Sequence, residues 1–404
     1  MTTKINNEHK KLNVPNLRFK EFQGEWKEST IGEMFDLYSG NTPSRLNKEH
    51  FKGTVNWISS GELKEHYIYS SKEQISEEAA KSLKLLPVGT FVIAIYGLEA
   101  EGVRGTGSII QEPSTISQAC MSFIPKGVIE NEFLYSWYKK HGNVIGIRYA
   151  QGTKQQNLSY DILEKFMIVY PNTKEQEKLN KFISLLDERI TTQNKIIEDL
   201  KKLKCAIIEK HYRQAKLHKY KICDLGVPFS VGSLSKEDLS EEGHECILYG
   251  ELFTTYDCVI NEVKSHTNKI ANTTLSQKGD LLFPSSTTVD AVSLISPSVI
   301  DTPNVILGGD MFGIHIDKKF NAYYLSYYIN LIARKKLAIY AKGSTIIHLH
   351  YKDIAKAQLL LPDLCEQDKI AKCMMAEDAK INVEEQLLTK LEKQKQYLLR
   401  QMFI

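Results

Sequence analysis

Several short runs of this sequence gather side-chain hydrogen-bond donors, acceptors and cations, groups whose chemistry includes contact with base edges and phosphates. The first half of this 404-residue sequence offers such groups in short runs. Thr42, Ser44 and Arg45 stand in one; Tyr96, Glu99, Arg104 and Thr106 in another; Lys154, Gln155, Gln156 and Asn157 in a third. Gln and Asn can pair bidentately with adenine, and Arg with guanine. The second half offers Ser233, Ser235, Lys236, Ser285, Ser286, Thr287, Thr288, Lys342, Ser344, Thr345 and His348. Taken singly, each of these is also readable as an ordinary solvated loop residue.

Catalytic and metal signatures are missing. There is no G-x-x-x-x-G-K-[ST] phosphate loop, no H-E-x-x-H zinc pair, no nucleophile elbow and no N-P-P-[YF] segment. The glycines of "EGVRGTGSI" (Glu101–Ile109) fail the dinucleotide fingerprint in spacing and position. His348 and His350 alternate as strand residues do and lack nearby co-ligands, so a polar or DNA-facing role is expected rather than a metal site. Seven cysteines without a C-x-x-C pair read as plain thiols. No metal, no cofactor and no catalytic centre are therefore expected. A net charge of +3 is low for a chain that binds nucleic acid by bulk charge, so any DNA contact must come from local concentration of cations or from a partner. No apolar run approaches the ~18 residues a membrane span requires, and the N-terminus lacks a signal-peptide core, so a cytoplasmic chain is expected.

The elements that must hold these loops occur twice. "YAQGTKQQNLSY" (Tyr149–Tyr160) returns as "YAKGSTIIHLHY" (Tyr340–Tyr351), 191 residues later, with five of twelve positions identical. Gly152 and Gly343 read as backbone-turn glycines. The same offset joins Pro171 to Pro362, Glu175-Gln176 to Glu366-Gln367, Asp187 to Asp378, Ile190 to Ile381 and Leu200 to Leu391. An ungapped match over some sixty residues is a true internal repeat. After each proline a long helix is predicted, with Asn172/Glu175 and Asp363/Glu366 able to form capping boxes. Apolar residues at heptad spacing mark one seam on each helix: Leu179, Ile183, Leu186, Ile190, Ile197 and Leu200, ending toward Ile207 and His211, and Ile370, Met374, Ile381, Leu388, Leu391 and Leu398. Such a stripe must bury itself against another helix. At 1.5 Å per residue each rod is about 55–60 Å long. Lys204 and Lys395 fall at matching seam positions; they either fix register or snorkel from the seam's end.

Ahead of each rod lies a segment of mixed character. "TFVIAIY" (Thr90–Tyr96), "CMSFIP" (Cys120–Pro125), "FMIVYP" (Phe166–Pro171), "DLLFP" (Asp280–Pro284), "MFGIHI" (Met311–Ile316) and "QLLLP" (Gln358–Pro362) read as strands; Asn131–His141 and Asn321–Lys336 read as helices. The expected class is α+β: residues 1–171 a globule, 172–216 a long helix, 217–362 a second globule, 363–404 a second long helix. The globules share a frame but differ in their loops, as expected of two readers that recognise different things.

A glycine-Ser/Thr turn, a leucine, a strand ending in proline and "EQ" opening a long helix, in that order and twice over, resemble the specificity subunit of type I restriction-modification enzymes. Here the series is Gly152-Thr153, Leu158, Pro171, Glu175-Gln176, then Gly343-Ser344, Leu349, Pro362, Glu366-Gln367, with "SGNTPSR" (Ser39–Arg45) near the front. The likeness covers essentially the whole chain. It implies two target recognition domains, each reading half of a bipartite double-stranded DNA sequence, separated by the two helices paired as an antiparallel coiled coil with pseudo-twofold symmetry. It also implies two modification (methyltransferase) subunits that bind S-adenosylmethionine and methylate adenine, restriction subunits in the full complex, and no catalytic centre in this chain. The second copy departs from the pattern, with "VGSLSK" (Val231–Lys236) for "SGNTPS" and "STIIH" (Ser344–His348) for "TKQQN". A single-chain pseudo-dimeric transcription regulator and a coiled-coil scaffold are the alternatives; an enzyme with an unrecognised site has little motif support.

Overall fold

The structure, a computed structural model, describes residues 12–99, 102–152 and 156–404. The chain forms two compact units that are not contiguous in sequence. The first ends at Asn194 and regains Gln386–Ile404; the second is Lys195–Glu385. Each unit therefore owns a piece of both long helices, Thr173–Gln214 and Leu364–Met402.

In the first unit a five-stranded sheet runs in the order Phe35–Ser39, Cys120–Pro125, Phe91–Ala94, Gly107–Ile110, Tyr67–Ile68. Its middle strand, Phe-Val-Ile-Ala, is buried on both faces, which is why that stretch reads as a continuous apolar run without alternation. Asn131–Tyr149 is one helix whose buried face (Phe133, Leu134, Trp137, Tyr138) packs with Phe91 and Phe123 into the core. The second unit repeats this order with Gly226–Ser230, Met311–Ile316, Asp280–Pro284, Ser298–Ile300 and Val259–Ile260.

Registers keep the sequence offset. Phe35 pairs with Pro125 and Gly226 with Ile316; Lys27 pairs with Tyr170 and His218 with Leu361. All four pairs obey the 191-residue spacing, so the globules are repeats too, although their side chains conceal it. The second unit's domain helix is broken: Ala322–Tyr328 is α, Ile329–Ala333 a π turn and Arg334–Leu337 α again. A π turn inserts backbone without ending the helix.

Each long helix is anchored by its second motif residue. Gln176 is buried; its carbonyl oxygen accepts the Glu130 amide at 3.0 Å and its amide donates to Pro171 O at 3.0 Å. Gln367 does the same to the Asn321 amide (2.9 Å) and Pro362 O (2.8 Å). One side chain thus ties helix start, strand end and domain helix together. Only half of each predicted capping box is present. Asn172 and Asp363 accept the amides of Glu175 (3.1 Å) and Glu366 (2.9 Å). The Glu175 carboxylate, however, faces inward to Arg18 at 2.7 Å for both oxygens and to Trp26 Nε1 at 3.3 Å, while Glu366 pairs with Lys369 at 2.6 Å.

The heptad seam holds along most of both helices. Leu179, Ile183, Ile197, Leu200, Ile370, Met374, Ile381 and Leu391 are buried, with Leu186, Ile190, Leu388 and Leu398 half-buried. The first helix departs from the expected seam at its end: His211 is exposed, and Ile208 with Tyr212 turns into the second unit's core instead. A 3.6-residue period drifts from a strict heptad, so a different face meets the core. Within the second unit Lys201 meets Glu385 and Lys204 meets Asp378, so the segments run antiparallel. Within the first unit Lys395 pairs with Asp187. These are the same two repeat positions with the helices' roles exchanged, which favours the registering role for the seam lysines.

Candidate nucleic-acid interface

The repeated segment is a loop pinned in the same way in both units. In the first, Gln151 and Asn157 exchange backbone hydrogen bonds at 2.8 Å, and Leu158 N donates to Ile95 O at 2.9 Å. In the second, Lys342 and His348 exchange them at 2.9 and 2.7 Å, and Leu349 N donates to Ser285 O at 2.9 Å. Gly152 and Gly343 close the loops at φ +113° and +124°. A Cβ on Gly343 would lie 2.0 Å from Ile346 O. Both a left-handed backbone and a close carbonyl exclude a side chain there.

This frame sets different side chains at equivalent positions. In the first unit Tyr96 bridges to Asn157; in the second, Ser286 pairs with His348. Gln156 stands beside Asn157; its backbone N–H donates to the Glu99 carboxylate at 2.9 Å, and that hydrogen bond holds the Glu99 carboxyl below the usual range. Tyr96, Glu99, Gln156 and Asn157 are thus brought together. Lys154 and Gln155 lie outside the described residues. Arg104 is spent on its own loop, donating to Leu98 O (2.5 Å) and Glu99 O (2.8 Å); the Thr106 hydroxyl closes a turn on Val103 O at 2.7 Å.

Thr42, Ser44 and Arg45 form a separate cluster. Arg45 is forked onto Glu73 at 2.8 and 2.7 Å, with its guanidinium 4.4 Å from the Phe51 ring centroid and 5.4 Å from that of Trp57. The Glu73 bond raises the Arg45 pKa and lowers that of Glu73.

In the second unit a groove of about 780 Å³ gathers Ser286, Thr287, Thr288 and His348 with Tyr249, Asp310 and Arg334. Ser285 and Ser286 are buried, Thr287 half-buried and Thr288 exposed. Ser285 serves the frame through its backbone. Lys342 is paired with Asp353 at 2.5 Å, whereas Ser344 and Thr345 stand exposed at the loop tip. Ser233, Ser235 and Lys236 are exposed on a loop that packs on Gly308 through Leu234; Ser235 donates to Asp238 at 3.1 Å.

Sequence reasoning missed Asp310, Tyr249 and Arg334. Their signal was weak, because nothing in a lone Asp after two glycines announces a groove.

A second constellation sits where the first unit meets its helix segments. His66 is stacked between Tyr67 (4.0 Å) and Tyr135 (3.9 Å), with Nε2 2.9 Å from Glu132 and Nδ1 3.1 Å from Asp187. Burial opposes its charge, but the two carboxylates outweigh that and hold its pKa above the usual value. Lys139 is pushed down to about 8 by burial and by Lys395. The second unit has Tyr327 OH on Asp378 at 2.5 Å and no histidine in that role.

Among the described residues no group of three His, Cys, Asp or Glu is placed to hold a metal ion. None of the described helices is long and apolar enough to cross a membrane.

The family model described as the type I restriction modification DNA specificity domain matches residues 23–202 and again 215–393. The type I restriction enzyme EcoR124I/EcoR124II specificity subunit of Escherichia coli is 32% identical over 208 residues, 50% of this chain and 50% of its own length. The MjaIX specificity subunit of Methanocaldococcus jannaschii is 29% identical over 185 residues, 44% of this chain and 42% of its own. The matches therefore span about half the length of these curated relatives. Among solved structures, the S subunit of a type I restriction-modification system from M. genitalium superposes with a TM-score of 0.60 at 16% identity, covering 97% of this chain and 99% of that one. A chain from work on complex assembly and conformational transition of the type I R-M system gives 0.56 at 14% identity, covering 93% and 96%. At these identities the likeness is one of fold.

Proposed function

The chain belongs to the type I restriction-modification DNA specificity family, whose model matches it in both halves, and from that premise we propose that it is the non-catalytic DNA-recognition subunit of such a complex. Each unit reads one half of a bipartite duplex sequence through its pinned loop and the strand end beside it. The observation that carries this reading is the shared backbone frame with unlike side chains: Tyr96, Glu99, Gln156 and Asn157 in one unit, Thr287, Thr288 and His348 in the other. One geometry meets the duplex in one way, and the side chains alone set the letters.

Two modification subunits that bind S-adenosylmethionine, joined by restriction subunits, are the proposed partners. Apolar residues left exposed on the helices, Leu185, Ile196 and Leu203 on the first and Val383 and Tyr397 on the second, supply surface for docking them. Pseudo-dimeric regulators and scaffolds have no call for a family match spanning both repeats.

The test is the methylated motif of cells with and without this chain. A bipartite adenine motif that appears only with the chain is expected. An unchanged methylome, with the modification subunit present and the two proteins co-purifying, would refute the reading.

A further inference from the structure

The groove of the second unit contains one acid. Asp310 follows two glycines, just before strand Met311–Ile316, and its side chain is 44% exposed. Its backbone has a framework task, since its carbonyl accepts the Ser285 amide at 2.7 Å. In the first unit the equivalent carbonyl belongs to Ala119, 191 residues earlier, and accepts the Ile95 amide at 2.9 Å. A methyl group suffices there, so the frame does not need the carboxylate. His348 lies beside the carboxylate, with Nδ1 4.0 Å from Oδ2. Arg334 lines the same groove, its guanidinium fixed by Val292 O at 2.8 Å and Ser293 O at 3.2 Å.

A carboxylate facing DNA is repelled by phosphates and finds a favourable partner only in a base amino group. In the major groove, cytosine N4 and adenine N6 are donors, whereas guanine O6 and N7 and thymine O4 are acceptors. Hydroxyls such as Thr287 and Thr288 donate or accept and discriminate weakly; an ionised carboxylate only accepts. Asp310 is therefore the acceptor-only side chain of this groove, able to favour amino bases over keto bases by sign.

We propose that Asp310 is a specificity residue of the second unit: its carboxylate accepts from the exocyclic amino group of a cytosine or adenine and rejects guanine and thymine at one position of the second half-site. This rests on the DNA-reading function proposed above.

The test uses the full chain assembled with its modification subunits, in variants Asp310→Asn, Asp310→Ala and Thr288→Glu. Asp310→Ala places in the second unit the residue that the first already carries. With Asp310→Asn or Asp310→Ala, one second-half position relaxes from A or C to include G or T by roughly 5- to 150-fold in relative methylation. First-half letters stay unchanged, which shows that the protein is folded. If an Asp310 variant abolishes methylation altogether, competition binding of the purified complex to duplexes varied at each position reads the same preference. An unchanged second half-site, with Thr288→Glu abolishing methylation, overturns the role of Asp310 and leaves the groove as a DNA surface. Normal methylation by Thr288→Glu overturns the groove itself, and with it this inference.

Discussion

The ion pair between Lys204 and Asp378 should couple the two long helices within the second unit far more strongly than the pair beside it. Lys204 is 13% exposed and Asp378 32%, and Asp378 also accepts from Tyr327 OH at 2.5 Å. The Lys204 ammonium lies 4.8 Å from the Tyr327 ring centroid. Unit charges in contact near a protein surface attract by about 4 kcal/mol at an effective dielectric of 20. Desolvation and side-chain ordering remove much of that, leaving a coupling of about 1–2 kcal/mol. Lys204→Met alone strands a partly buried carboxylate and should cost about 2 kcal/mol, and Asp378→Asn alone strands the ammonium at a similar cost. The double variant strands neither charge and keeps the Tyr327 bond, so it should cost about 2–3 kcal/mol, less than the sum of about 4 kcal/mol for the two single variants. Lys201 and Glu385, 2.7 Å apart on the same helices but 57% and 46% exposed, form the internal control. Their coupling should not exceed about 0.5 kcal/mol. Urea unfolding of the full chain measures both cycles, with midpoints compared at unchanged slope. If the Lys204–Asp378 coupling is no larger than the control, the lysine merely snorkels and the registering role fails.

Gly343→Ala should disorder reading by the second unit while sparing the first, because its backbone at φ +124° and the carbonyl 2.0 Å from a new Cβ demand a loop shift; strain of about 1–3 kcal/mol is expected, and Gly61→Ala, with nothing within 4 Å, is the control in a duplex-binding assay. Gln367→Ala removes the partners of the Asn321 amide and Pro362 O and should destabilise by about 2–4 kcal/mol in chemical unfolding. His66 should make the first unit pH-sensitive. Its folded pKa is raised, so its contribution is full below the unfolded value of about 6.5 and fades as pH climbs through the folded value. Thermal unfolding should show stability falling as pH rises above about 6.5, and His66→Gln should abolish that loss. A pH dependence unchanged by the substitution would remove His66 as its origin.

Much of this architecture is written locally. The strands Phe91–Ala94 and Asp280–Pro284 show as apolar runs because both their faces are buried, as they are over most of Cys120–Pro125, and the helices show through their heptads. The offset of 191 residues is legible because identical residues recur at the loop, the proline and the Glu-Gln pair. That it also governs strand pairing, Phe35 with Pro125 and Gly226 with Ile316, is not legible, since backbone hydrogen bonds set register and leave side chains free to diverge.

The candidate site divides along the same line. Residue type and loop context suffice to propose Asn157 and His348, but not to show that Arg45 and Arg104 are committed to Glu73 and to their own loop. Asp310 reaches the groove only because the strand that follows it lies beside Asp280–Pro284. The amino-acid order alone determined two copies of one plan, their long helices and the glycine turns, all set by interactions among near neighbours. Tertiary structure alone decided which polar side chains are left free to meet a ligand, because that depends on the folded course of the chain, which brings Arg45 to Glu73 and turns Arg104 back onto its own loop.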